Sequence, residues 1–594
     1  MATRTSSRTS SKPPSKAAPS KPASKAASKP SSKTETKPAS KSGAAGSKPA
    51  SQAAKTDKPV AAGTKRNGPS EDKPANKPAS KRRRVVEINA VAKAPEPQGL
   101  SVFVWGTGDM GQFGTGPDDL DEKPRPQLHK WFEEKREDGD LGAGPGQGGI
   151  ETIAAGGMHT LAIDQKGQVR SWGINDNAAL GRNTANVPDP NNADSTLPAE
   201  DFETWPFVVD TLANEGFRAV KIAAGDSVSV ALSDEGKLRA WGSFRSNDGI
   251  LGFDGVVGHA PFQFTPIPLH AFDRIEVVDV AAGADHVLAL TTEGHVYVWG
   301  NGQQNQLGRR VMERRRLNGL EPERLGLRNI VHIAAGQYHS FAVDKNGHVY
   351  AWGLNTYKQT GLDGRAGEEE MVIRPTVVNS LSPENHNGAK VVQVDGGEHH
   401  SLFLFDNGEV WGVGRNDAKE LGLGPDHPAQ AGLDERRADF KHEKEEALKA
   451  AQKKLEDVLA AEKPDEDDKA AAEAAIAEAE ASLRVPSGEY VPEPVRIAFP
   501  PIGDYEDPPE LEAWSDAPTT NPVASISAGT RHNLAVSRDG KVYAWGLGNQ
   551  GQLGLGSAET ADTPTWVRSK QLKPYKAVAA SAGGQHCVLL GKLA

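Results

Sequence analysis

One pattern recurs along the chain, and it limits the possible folds more than any single motif. In each copy an apolar run ends in a small-small-Gly step, and in most copies a His follows three residues after the Gly. An alternating apolar run, a Gly turn, a second run and a Trp-Gly pair complete the unit, as in IAAGGMHTLAIDQKGQVRSWG at 153–173. The steps end at Gly156, Gly225, Gly283, Gly336, Gly396, Gly529 and Gly583. The Trp-Gly anchors are Trp105, Trp172, Trp241, Trp299, Trp352 and Trp545, and a seventh copy reads Val413-Gly414, with Trp411 two residues earlier. Alternation such as Leu161/Ile163 and Val296/Val298 has the period of a half-buried strand. Most copies span 53 to 69 residues, a length that suits a four-stranded blade. The chain enters at a Trp-Gly half and leaves at a small-small-Gly half, SAGGQHCVLL at 581–590. Two part-blades at the ends therefore complete one another. The expected fold is all-β, a seven-bladed β-propeller over 98–594 closed by strands from both ends, which removes free sheet edges.

Composition bounds the function classes. A single cysteine, Cys587, excludes a disulfide framework and a Cys-rich zinc site and fits a reducing compartment. No apolar stretch approaches 18 residues and the N-terminus has no apolar core, so no membrane partner is expected. The net charge of −10 conceals an asymmetry. Residues 1–84 hold 21 Lys+Arg and 4 Asp+Glu, or +17; the remainder holds 69−21=48 basic and 79−4=75 acidic residues, or −27. KPASK recurs at 21–25, 37–41 and 77–81. Such a segment buries too little apolar surface to offset its chain entropy, so 1–97 is expected to be a disordered basic tail. Its spaced lysines suit a phosphate polyanion such as DNA. Lys65 and Arg66, followed by Lys81, Arg82, Arg83 and Arg84, form a two-part nuclear import signal that implies an import receptor.

One insertion interrupts the sixth repeat. Gly422 and Gly529 lie 107 residues apart, where other copies use 28 to 44. Within about 428–486 the Ala/Glu/Lys-rich sequence places Leu448, Leu455, Val458 and Leu459 on one helical face, and Ile476 and Leu483 resume the pattern after KPDEDDK. A projecting helical hairpin is expected. The recurring histidines, read as His159, His286, His339, His399, His532 and His586, sit once per blade. Spread around a ring, they cannot converge on one ion, so no metal or other cofactor is expected. No Ser/His/Asp set or phosphate-cradling loop stands out from the repeats, which argues against covalent catalysis.

One repeat breaks the pattern twice. After Gly225 it carries Val228 in place of His. After Trp241 the closing Gly252 lies eleven residues away, in WGSFRSNDGILG, where WGINDNAALG (172–181), WGNGQQNQLG (299–308) and WGLNTYKQTG (352–361) use nine. An expanded turn at the rim of a rigid scaffold is a natural contact element.

The stretches AGGMHT (155–160), NDNAALGR (175–182), WGSFRSNDGILG, GLNTYKQTG (353–361) and SAGGQH are similar to those of the regulator-of-chromosome-condensation family. The resemblance covers roughly 98–594 apart from the insertion. It implies a chromatin-bound guanine-nucleotide exchange factor for the small GTPase Ran, acting without covalent chemistry in the nucleus. It identifies Phe244, Arg245, Ser246, Asn247, Asp248, Gly249, Ile250 and Leu251 as the β-wedge that inserts against the GTPase. It carries GTPase contacts onto Asp109, Asp226, Asp285, Arg309, His400 and His586, with His400 expected to be the His that has no repeat equivalent. It also implies that the loop at 309–325, through Arg314, Arg315 and Arg316, meets the acidic patch of the nucleosome; the planar guanidinium pairs well with carboxylates. A propeller of the same family that only binds, without exchange activity, is the alternative. The wedge and Asp226 favour exchange.

Overall fold

A computed structural model describes residues 87–189, 192–461, 465–483, 488–509, 511 and 514–594. The KPASK segment and the import-signal residues Lys65, Arg66, Lys81, Arg82, Arg83 and Arg84 lie outside the described residues. All described residues belong to one compact unit, Arg82–Ala594.

Seven antiparallel four-stranded sheets form the blades, each built from strands in simple sequence order. Counting along the chain, the second strands of blades 1 to 6 are His159–Asp164, Val228–Ser233, His286–Thr291, His339–Asp344, His400–Phe405 and His532–Ser537. Blade 7 joins the two ends: Ser101–Gly106 pairs with His586–Leu593, in the register Ser101 to Gly591 through Gly106 to His586. The closure expected from the two half-repeats is therefore present. The second strands are buried along their whole length, which is why they read as near-continuous apolar runs.

One register differs from the sequence expectation. The fifth step ends at Gly397, not Gly396: Gly397 N–H donates to His400 O at 3.0 Å, as Gly336 N–H does to His339 O at 2.9 Å. His400, not His399, is therefore the repeat His of blade 5. Two adjacent glycines and two adjacent histidines fit the motif in either frame, and strand pairing selects one of them.

The repeat residues meet in the seams between blades. His Nε2 of one blade contacts the residue after the repeat His of the next: His159 to Ser229 (2.9 Å), His286 to Ser340 (2.8 Å), His339 to Ser401 (2.7 Å), His400 to Asn533 (2.7 Å), His532 to Cys587 (3.2 Å) and His586 to Thr160 (2.8 Å). That same next-blade group donates to a loop carbonyl of the first blade, as Ser229 Oγ does to Ala179 O at 2.8 Å and Thr160 Oγ1 to Gln112 O at 3.0 Å. The next-blade Trp donates to the same carbonyl: Trp241 to Ala179 O (2.7 Å), Trp172 to Gln112 O (2.8 Å), Trp352 to Gln306 O (2.8 Å). To aim this carbonyl inward, the turn takes a left-handed residue such as Ala178 (φ 62°) or Lys358 (φ 59°). A hydroxyl has one proton, and here the carbonyl takes it. The histidine must then donate from Nε2, and Nδ1 is left without a partner in His159, His286, His339 and His586. Each ring is held neutral: burial lowers His159 and His400 to about 4 and His286, His532 and His586 to about 3. The repeat Gly leaves no room for a side chain: in most blades the next blade's Gly carbonyl approaches it, and so does the His ring edge. A Cβ at Gly283, Gly336, Gly397 or Gly529 would run into its own blade's His.

One seam lacks this latch. Between blades 2 and 3, Val228 faces Val287, and both pack in an apolar cluster with Phe244, Phe253, Trp299 and Leu320. The insertion forms two packed helices, Gln430–Leu459 and Glu466–Leu483. Leu448, Leu455, Val458 and Ile476 are partly buried, but Leu459 and Leu483 are 52% and 38% exposed and do not continue the expected face. Residues before 98 are also tied to the propeller. Ile88 N–H donates to Thr292 O (2.8 Å), and Asn89 Nδ2 reaches Thr291 O (3.1 Å) and Ile330 O (2.9 Å).

Two outcomes test this architecture. Deleting 1–116 removes the strand that pairs with His586–Leu593 and should lower the melting temperature, while deleting 1–84 should leave it unchanged. The latch histidines should also set an acid limit. Their folded pKa values lie below the unfolded value of about 6.5, so the unfolded chain binds more protons and stability falls as pH drops from about 6.5 toward 4. In His159→Gln, which keeps an N–H donor, the slope of unfolding free energy against pH between 6 and 4.5 should be shallower by about 1.2 kcal/mol per pH unit. Denaturant midpoints across that range measure it.

Candidate functional site

In an up-and-down blade, the loop between the first two strands and the loop between the last two open on the same end. That places the Gly225–Ser227 and Gly283–Asp285 turns, the expanded loop after Trp241, the arginine loop and the helical insertion on one face of the ring. The turn Thr291–Thr292 that anchors Ile88 and Asn89 lies between the second and third strands, and so on the opposite face.

The expanded loop is a β-hairpin. Phe244–Ser246 pairs with Gly249–Gly252, in the register Phe244 to Gly252, Arg245 to Ile250 and Ser246 to Gly249, with Asn247 and Asp248 at the tip. At its base Phe244 is fully buried and stacks on Phe253, with ring centroids 6.4 Å apart. Leu251 is buried, whereas Ile250 is 48% exposed. In a nine-residue copy the position of Ile250 is held by Gln112, Ala179 or Gln306, whose carbonyl enters the seam. In the expanded copy this segment has left the seam to build the hairpin. Among the described residues no inward carbonyl remains to accept a bond from residue 287 or from Trp299, and Val228 and Val287 fill that space with apolar atoms, although Ser243 Oγ at the base of the hairpin is buried without a partner.

Blade 3 holds the hairpin from the side. Asp285 Oδ1 accepts the Arg245 N–H at 2.6 Å, Gln303 Oε1 accepts the Asn247 N–H at 2.9 Å, and Gln304 Nε2 donates to Asn247 Oδ1 at 3.2 Å. Arg316 pairs with Asp248. Leu317 and Leu320 pack beneath. Asp285 is half-buried, and burial pushes its pKa up to about 7; Asp226 adds repulsion, against the Arg245 N–H and charge that favour the carboxylate. Burial and Glu398 raise Asp226, and Arg245 opposes them. Tyr338 stands among the same charges, its hydroxyl raised by burial first and then by Asp226, Glu398 and Asp285. Beside the wedge Glu398 pairs with His399 at 3.4 Å, and His399 packs on Tyr357 at 4.9 Å.

The structure brings Phe244–Leu251, Asp226 and Asp285 together. Asp109 is exposed on the turn after Trp105. His586 is fully buried as the latch to Thr160. His400 is likewise a buried latch with a repeat equivalent, which corrects the expectation that it has none; the additional His at the rim is His399. Arg309 braces the arginine loop, paired with Glu323 (3.1 Å) and bonded to Asn318 O (3.2 Å) and Glu321 O (3.3 Å). Arg314 and Arg315 are exposed, whereas Arg316 is turned onto the wedge tip. The sequence reading missed Gln303 and Gln304. Their one signal is their place in the turn NGQQNQLG, next door to the expanded loop.

The model of the RCC1-like domain matches residues 101–589. Protein pim1 of Schizosaccharomyces pombe is 34% identical over 86% of this chain and 78% of its own length. Guanine nucleotide exchange factor SRM1 of Saccharomyces cerevisiae is 32% identical over 83% of this chain and 87% of its own. A crystal structure of Prp20p from Saccharomyces cerevisiae, described with its binding properties to Gsp1p and histones, covers 84% of this chain and 93% of its own at 31% identity, with a TM-score of 0.62. A closed ring of seven blades, six of them anchored by Trp-Gly, with one unlatched seam and a family match over 101–589, places this chain in the RCC1-like domain family.

Proposed function

We propose that the protein is a guanine-nucleotide exchange factor for the small GTPase Ran, working from chromatin in the nucleus. The observation that carries this reading is the hairpin Phe244–Gly252, a rigidly footed projection on a face lined by Asp226, Asp285 and Glu398. The exchange activity named for the Saccharomyces cerevisiae relative supports it. A small GTPase holds its nucleotide through backbone and Lys contacts to phosphate and through Mg²⁺. A wedge that favours the conformation lacking those contacts weakens nucleotide binding, and nucleotide weakens the factor's binding by the same ratio. Release then needs only differential affinity for the nucleotide-free state, with no catalytic acid or base. The half-buried carboxylates beside the wedge suit a basic surface on the GTPase.

Chromatin contact divides between the basic tail and the arginine loop, and the histone binding described for Prp20p is in keeping with a nucleosome partner. The tail supplies the DNA contact and, through Lys65, Arg66 and Lys81–Arg84, the import-receptor contact. Arg314 and Arg315 are the arginines free to meet a histone acidic patch.

Two measurements test this. Replacing Ser243–Leu251 by the shorter turn INDNAAL, copied from 174–180, restores the nine-residue spacing and should leave a folded propeller whose stimulation of nucleotide release from Ran collapses; normal release from the folded variant sinks the wedge reading. Arg314→Ala with Arg315→Ala should weaken nucleosome binding while sparing free DNA. Removing 1–84 should do the reverse and flatten the salt dependence, by a log–log slope of roughly 0.9 for each phosphate that the tail had neutralised.

A further inference from the structure

The wedge hairpin is short, and its own strands exchange few bonds. Beyond the buried base, every hydrogen bond and ion pair described between the wedge and the rest of the chain comes from blade 3: Asp285 to the Arg245 N–H, Gln303 to the Asn247 N–H, Gln304 to the Asn247 side chain, and Arg316 to Asp248. An isolated two-stranded hairpin is marginal in water. Phe244 and Leu251 fix where it leaves the propeller, but they lie below Ser246–Gly249 and cannot fix the direction of the tip. Gln303 can. Its own backbone is set by the turn, where Gln303 N–H donates to Asn301 Oδ1 at 3.0 Å. Its carbonyl oxygen meets the backbone of the tip, so the contact holds the main chain and does not depend on which side chain the tip carries. The Arg316–Asp248 pair is exposed on both sides and is worth little by itself.

We infer that Gln303 is a positioning residue for nucleotide exchange: by accepting the Asn247 N–H it holds the wedge tip in one direction before the GTPase arrives. The inference rests on the wedge reading given above and adds to it that the aim of the wedge is built by the neighbouring blade. A tip already ordered loses less conformational freedom on insertion, so its order favours the inserted state. Losing the restraint acts after encounter. It lowers the maximal rate of release and leaves the GTPase concentration at half-maximal rate nearly unchanged.

The test uses the full chain with Gln303→Met, which keeps length and removes the acceptor, and Gln303→Glu, which restores an acceptor oxygen. Hydrogen–deuterium exchange of the free protein is followed in peptides spanning 243–252, with the second strands of blades 2 and 3 as the control for folding. Nucleotide release from Ran is measured across a range of GTPase concentrations. Gln303→Met should speed exchange at the wedge tip and lower the maximal release rate, each about threefold to tenfold, the range expected for one hydrogen bond. Strand protection should be unchanged, and Gln303→Glu should recover both. Wedge protection that does not change in Gln303→Met overturns the inference whatever the release rate. A loosened wedge with undiminished release overturns the positioning role of Gln303 alone; the wedge reading is decided separately by the loop replacement described above.

Discussion

The propeller depends on the seam between blades more than on any blade. Each latch combines a histidine and a loop carbonyl of one blade with a hydroxyl, amide or thiol of the next, and in most seams a Trp N–H of that next blade joins them. The groups are buried, so leaving one unpaired costs about 1–3 kcal/mol, while a completed bond contributes only about 1 kcal/mol. That asymmetry explains why the elements recur as a set. A blade cannot lose its carbonyl and keep the neighbour's hydroxyl without stranding a polar group. The ring closes where the two ends of the chain share one blade, through the pairing of Ser101–Gly106 with His586–Leu593.

The wedge follows from the same constraint. Lengthening the loop after Trp241 withdraws the inward carbonyl, and Val228 and Val287 stand where a His and a hydroxyl would otherwise be left over. The seam is still filled, but by dispersion and apolar burial from Phe244, Phe253 and Leu320 in place of directed bonds. An apolar foot leaves the hairpin above it free of the repeat's geometry. That is how a rigid, repetitive scaffold carries one feature that does not repeat.

The two faces of the ring differ in chemistry as well as shape. One carries the wedge, the carboxylates Asp226, Asp285 and Glu398, the arginine loop and the helical pair. The other receives Ile88 and Asn89, through backbone and amide bonds that need no particular charge. Arg316 links the arginine loop to the wedge tip, so two elements that read as independent in the chain share an ion pair.

Periodicity was enough to establish seven blades, their four-stranded size and their closure, because a repeat of strand-period runs cannot bury its faces except by stacking on copies of itself. The unusual loop was legible too, since a two-residue expansion stands out against copies of fixed length. What the one-dimensional pattern could not decide is anything that depends on the neighbouring blade. Asp395-Gly396-Gly397 and His399-His400 satisfy the motif in either of two frames, and only the pairing of Gly397 with His400 selects one. Val287 looks like any strand valine until Val228 is found opposite it. Gln303 and Arg316 look like loop polar residues until the fold sets them beside a hairpin more than fifty positions earlier. Local periodicity is written into the chain because each strand must match its own sheet. The partner across a seam is set by the closure of the whole ring, and so only the tertiary structure specifies it.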